Sequence, residues 1–158
     1  MNTNAHVVAV ACDPMHRFSK PVANAIDLIA GRGVMGDAHC GESVRHRSRV
    51  AANPDRPNLR QVHLIHSELL SAFQEQTSPV QPGDLGENIT TAGLDLLSLP
   101  RGTRLRLGES AAIEVTGLRN PCWQIEAFMP GLLAAVLSRA PDGSLVRKCG
   151  IMAIVELG

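Results

Sequence analysis

Residues 103–116 constrain the fold more than any other stretch. Thr103-Arg104-Leu105-Arg106-Leu107 and Ala111-Ala112-Ile113-Glu114-Val115-Thr116 alternate apolar and polar side chains on either side of Gly108-Glu109-Ser110. A period of two sorts side chains onto the two faces of a strand, and a short glycine-containing break between two such runs closes a β-hairpin. That hairpin also decides where the chain goes next, because its second strand runs into Gly117-Leu118-Arg119-Asn120-Pro121-Cys122. Asparagine, proline and cysteine in succession read as a helix start with a thiol in its first turn. Unpaired backbone N–H groups there, with Arg119 close upstream, favour thiolate over thiol. The competing reading is a small buried hydrophobe, the commoner fate of a free cysteine.

Periodicity and turn residues assign the rest. Residues 6–12 form a short Val/Ala run, read as a buried strand closed by Asp13-Pro14. A loop carrying His16, Arg17, Phe18 and Lys20 leads to a second strand around 25–29, which ends in the glycine-rich turn 31–41. Glycines let backbone approach a ligand closely, but neither a phosphate-loop nor a dinucleotide pattern is present. Arg45, His46, Arg47 and Arg49 then form a charge run, either a solvated loop or guanidiniums able to grip a phosphate or carboxylate. A strand at 61–66 precedes a helix at 68–76 that starts after Ser67 and buries Leu69, Leu70 and Phe73. The spacing of His63 and His66 puts them on opposite faces of that strand, which argues against a shared metal.

Further on, residues 84–91 read as a tight turn entering a β-rich piece, and residues 94–99 as an apolar run. One helix is expected from Pro121 to before Pro130, and another from Pro130 to Arg139 that packs Leu132, Leu133, Val136 and Leu137. Asp142-Gly143 is a turn, and 145–149 and 151–157 are closing strands, the last central. Many short strands with few helices predict a mainly β domain spanning 1–158, a β-barrel or highly curved sheet with short peripheral helices.

Composition excludes several functions. Fifteen basic residues balance fifteen acidic ones, so no global field holds nucleic acid or an anionic membrane. With three Phe, one Trp and no Tyr, base stacking on aromatics is not expected either. Cys12, Cys40, Cys122 and Cys149 include no C-x-x-C pair, which removes a zinc ribbon, and the absence of a signal-like segment suggests a cytoplasmic protein with reduced thiols.

Five blocks, in order along nearly the whole chain, resemble the MOSC family. They are Gly33-Val34-Met35-Gly36-Asp37-Ala38-His39, His46-Arg47-Ser48-Arg49, Pro57-Asn58-Leu59-Arg60-Gln61-Val62-His63-Leu64-Ile65, Gly83-Asp84-Leu85-Gly86-Glu87-Asn88-Ile89 and Thr116-Gly117-Leu118-Arg119-Asn120-Pro121-Cys122. The resemblance implies a barrel related to that of pyruvate kinase, serving a molybdenum-pterin cofactor (molybdopterin), with Cys122 as the functional thiol. Cys122 then either ligates molybdenum or carries sulfur as a persulfide. Gly36, Asp37, His39 and Asn88 match motifs lining the family's cleft, with Asn120 beside the thiol, and charge chemistry assigns Arg47, Arg60 and Arg119 to the cofactor's phosphate.

The chain has no space for the pyridoxal-phosphate domain of full cofactor sulfurases, so that coenzyme is not expected. Relatives continue past the position of Gly158, which implies a trimmed or differently closed barrel. The expected activity is reduction of small N-hydroxylated compounds with electrons from a separate redox partner. The alternatives are a sulfur carrier fed by a cysteine desulfurase and a non-catalytic cofactor-binding or interaction module.

Overall fold

The computed structural model describes residues 4–43, 57–76 and 79–158. The readings at Arg45, His46, Arg47 and Arg49 fall outside them. Among the described residues the chain builds strands β1 (His6–Ala11), β2 (Val22–Ala23), β3 (Leu28–Ile29), β4 (Gly33–Val34) and β5 (Val62–His66). Helix α1 (Ser67–Gln76), β6 (Ile89–Ala92), a 3₁₀ turn (Leu96–Ser98), β7 (Arg104–Leu107) and β8 (Ala111–Leu118) follow. Helices α2 (Trp123–Phe128) and α3 (Leu132–Val136) and strands β9 (Leu137–Arg139), β10 (Leu145–Arg147) and β11 (Ile151–Leu157) complete it.

A seven-stranded sheet runs in the order β2-β1-β6-β5-β11-β8-β7. Its ladders are antiparallel except for β5 with β6. The hairpin forms as its alternation requires, Arg104 opposite Glu114 and Leu107 opposite Ala111. Strand β11 lies between β5 and β8, the central place its apolar run demands. The architecture is mainly sheet with a few short helices. Closure into a barrel is not seen among the described residues, since no ladder joins the end strands β2 and β7. Both ends are unsuited to further pairing: β2 is two residues long, and β7 carries the exposed charges of Arg104 and Arg106.

Two apolar clusters sit on opposite faces of β5, all of whose residues are buried. Val62 and Leu64 pack with Ile89, Ile113, Val115, Ile151, Ala153 and Val155. Ile65, one step out of phase, packs with Leu69, Leu70 and Phe73 of α1, Leu85, Ile125, Leu132 and Val136. A strand buried on both faces needs apolar side chains at both parities, so His63 on the second face is conspicuous.

Three local readings are corrected. Strand β1 is largely exposed, with Val7 at 43% and Val8 at 48%; successive side chains point to opposite faces, so neither face is covered there. The second strand shrinks from 25–29 to Leu28–Ile29, which folds back on β4. The helix expected over 130–139 spans only Leu132–Val136, since residues 137–139 extend to pair with β10. Asp142 fixes that turn by accepting from the Ser144 backbone N–H at 2.9 Å and from its hydroxyl at 2.6 Å. The segment 145–149 therefore makes a small separate ribbon.

Candidate functional site

A cavity of about 250 Å³ opens beside Cys122, and Arg17, Lys20, His39, Arg60, His63 and Arg119 line it. Phe18, Asn88, Asn120, Pro121, Gln124 and Met152 are also in its wall. These residues come from the first loop, the glycine-rich turn, the start of β5, the turn before β6 and the exit of β8. Of the positions expected to act, Cys122, His39, Arg60, Asn88, Arg119 and Asn120 converge here. Gly36 and Asp37 do not line the cavity, and Arg47 is outside the described residues.

Asp37 works from behind the wall. It is 6% exposed, and its carboxylate holds Lys20 Nζ at 2.8 and 2.9 Å. It also accepts from the backbone N–H groups of Asp13 and His39, each at 3.1 Å, and lies 3.5 Å from His39 Nδ1. Burial alone would raise its pKa, but the His39 hydrogen bond and the Lys20 cation hold the carboxyl well below the usual range. Gly36, with φ +79 and open space where a side chain would stand, makes the turn that sends Asp37 inward.

The block 83–89 is a cradle for the first loop. A Cβ on Gly83 would stand 2.3 Å from the Lys20 carbonyl oxygen, and one on Gly86 2.5 Å from that of Phe18. Only glycine lets the two backbones meet, and Lys20 N–H donates to the Gly83 carbonyl at 2.8 Å. That contact carries Arg17, Phe18 and Lys20 to the cavity. The sequence presents those residues as a connecting loop, and no local signal marks Lys20 as the partner of the buried Asp37.

Asn88 is an internal tie rather than an open ligand. Its Oδ1 accepts from His63 N–H at 3.1 Å, while Nδ2 donates to the Ala11 carbonyl at 3.2 Å and to Asp37 at 3.3 Å. It thereby locks β1, β5 and the glycine-rich turn together.

Arg119 is held on several sides. Its Nη1 donates to the Leu85 carbonyl at 2.5 Å and lies 3.4 Å from His63 Nδ1, and its guanidinium carbon sits 5.7 Å from the centroid of the Phe18 ring. His63 Nε2 is 3.0 Å from the Cys149 carbonyl oxygen. Nε2 must donate there, and because a guanidinium can only donate, Nδ1 is the acceptor facing Arg119 and the imidazole is neutral. Burial, reinforced by the Arg119 cation, pushes His63 well below its ordinary value. His63, not expected to act, is also part of the cavity wall.

Cys122 is half-buried and precedes α2 as its N-cap residue, extended at φ −130 and ψ 169. The thiol is therefore not in the first helical turn, and α2 begins at Trp123, after the expected start at Pro121. Asn120 does not cap the helix, because its Oδ1 accepts a hydrogen bond from Arg147 Nη1. The Cys122 thiol lies 3.6 Å from Gln124 Oε1. Cys149 contrasts with it: fully buried, its thiol is pushed up to about 11 by burial, against the opposing pull of Arg119.

No curated protein matches the chain. Among solved structures it resembles the YUAD protein from Bacillus subtilis, at 25% identity and a TM-score of 0.76, over 97% of this chain and 88% of that one. YiiM from Geobacillus stearothermophilus superposes at 17% identity and a TM-score of 0.65, over 98% of this chain and 69% of that one. YiiM from Escherichia coli does so at 18% identity and a TM-score of 0.53, over 96% and 69%. At those identities the two YiiM structures speak for the fold alone. The MOSC domain model matches residues 38–155, a span that takes in His39, Arg60, Asn88, Arg119 and Cys122, and the chain therefore belongs to the MOSC domain family.

Proposed function

We propose that the protein binds a molybdenum-pterin cofactor through Cys122 and, with electrons from a separate donor, reduces small N-hydroxylated compounds. The observation that carries this reading is the cavity itself: the Cys122 thiol shares it with Arg17, Lys20, Arg60 and Arg119, and no carboxylate is in its wall among the described residues. The donor set suits the cofactor. A thiolate is a soft ligand for a thiophilic metal, and guanidiniums pair with phosphate oxygens in a fork geometry. Among the described residues no three His, Cys, Asp or Glu side chains converge to hold a metal ion. A metal at Cys122 would thus rely on ligands that the cofactor brings.

When bound, the cofactor supplies two-electron redox chemistry at its metal. The chain's own residues bind and orient. Arg60 and Arg119 would hold the anionic end, Arg119 with its direction set by Leu85 and His63. Lys20 adds a cation whose position Asp37 fixes. The same reading makes the protein cytoplasmic, with a pterin and a small substrate as ligands and no membrane or nucleic-acid partner. Among the described residues no helix is long and apolar enough to cross a membrane.

A second reading, sulfur transfer through a persulfide on Cys122 fed by a cysteine desulfurase, draws on one further observation. Trp123, next to the thiol, is 73% exposed, an apolar contact point for a donor protein. Molybdenum analysis of protein expressed in a cofactor-making host tests the first reading. Metal present in wild type and lost in Cys122→Ala supports it, whereas no metal, or equal metal in both, refutes it. Intact-mass analysis after incubation with a desulfurase reports the second as one added sulfur on Cys122.

A further inference from the structure

A second cavity of about 250 Å³ adjoins the first and shares Arg60, Asn120 and Met152 with it. Arg101 and Arg147 belong to this second lobe alone, and no Asp or Glu is in its wall among the described residues. We propose that Arg60, Arg101 and Arg147 form an anion-binding subsite that takes the phosphate or carboxylate of a ligand whose other end reaches Cys122.

The arginines come from separate elements: Arg60 from the entry to β5, Arg101 from the turn before β7 and Arg147 from β10. Like charges gathered around one cavity repel, and an anion between them relieves the repulsion. Arginine also presents planar pairs of donors that match carboxylate and phosphate oxygens. The lobe is built rather than incidental. Thr116 donates to the Leu59 carbonyl at 2.6 Å, tying β8 to the segment that carries Arg60, and Arg60 N–H donates to Asn58 Oδ1 at 3.1 Å. Arg147 donates to Asn120, which is in the wall of both lobes next to Cys122. A ligand spanning the lobes would touch the thiol and the arginines together. The subsite does not depend on whether Cys122 binds metal or carries sulfur.

Calorimetric titration of the full chain with inorganic phosphate at low ionic strength tests it. Binding is expected to saturate, to weaken roughly tenfold or more in Arg101→Gln/Arg147→Gln, and to recover in part in Arg101→Lys/Arg147→Lys. It should be unchanged in Arg106→Gln, which alters an arginine outside the lobe. The proposal fails if wild type shows no saturable binding, if binding survives the double glutamine variant, or if Arg106→Gln weakens it as much. A second titration, on cofactor-loaded protein, separates the two sources of the anion. Undiminished phosphate binding assigns the lobe to a substrate, and competition assigns it to the cofactor's own phosphate; both results keep it an anion subsite.

Discussion

Lys20, in the wall of the Cys122 cavity, forms a buried ion pair with Asp37 behind it, with Nζ 2.8 Å from a carboxylate oxygen and the two side chains 3% and 0% exposed. The pair fixes one cation of the site, and removing one member leaves a charge buried alone. Asp37→Asn is expected to lower stability by about 3–5 kcal/mol. Lys20→Met/Asp37→Asn should recover part of that loss, because it removes the unpaired charge while the asparagine oxygen can still accept from buried N–H groups at the site. Urea denaturation measures both, and an Asp37→Asn midpoint equal to wild type would show that the pair does not hold the loop.

The neutral His63 makes stability depend on pH in a definite direction. In the folded state its pKa lies well below 6.5, the ordinary value that an unfolded histidine keeps. Below that value the unfolded state binds the extra proton, so stability present above it is lost as pH falls, by up to about 1.4 kcal/mol per pH unit. Glu87 acts in the opposite sense, because burial raises its carboxyl pKa and protonation relieves it. Comparing wild type with His63→Gln isolates the histidine: from about pH 7 to pH 5.5, thermal stability should fall more steeply in wild type. Parallel slopes would mean that His63 already carries a proton in the fold.

A cleft lined by cations should prefer an anionic reagent at its thiol. Iodoacetate, relative to iodoacetamide, is expected to label Cys122 faster than it labels a small free thiol, by on the order of tenfold at low salt. High salt should erase the preference, and Arg60→Gln should reduce it. Peptide mass analysis locates the label. A ratio no different from that of the small thiol would argue that the cavity's charge is not felt at Cys122.

Gly150→Ala should damage fold and site together. Gly150 has φ +95, and a Cβ there would stand 2.2 Å from the Leu64 carbonyl oxygen and 3.0 Å from His63 Nε2. The left-handed backbone alone costs about 1–2 kcal/mol, and the clash with backbone adds to it. Because the Gly150 carbonyl accepts from Arg119 N–H at 2.9 Å, phosphate affinity and thermal midpoint should fall together. A fully stable alanine variant would contradict this packing.

Much of the sheet was legible because its information is local. The period of two in residues 103–116 yielded β7 and β8, the apolar run of 151–157 yielded a central strand, and the stripe of Leu69, Leu70 and Phe73 yielded α1. Reading failed where a distant partner overrode local preference. Residues 137–139 look helical until β10 offers them a ladder, and Asn120 looks like a cap until Arg147 takes its oxygen.

The chain by itself determined which chemical groups were available: a thiol after Arg119-Asn120-Pro121, the glycines of 83–86 and a family pattern that joins them. Only the tertiary structure decided which groups meet. Asp37, expected in the cleft, holds its wall from behind, while Arg17 and Lys20, read as a loop, and His63, not expected to act, face it together with Asn88. Hydrophobic periodicity reports whether a residue is buried, since burial follows from a residue's own face of a strand or helix. It cannot report which residue a buried carboxylate will pair with, because the partner is chosen by contacts between segments far apart in the chain.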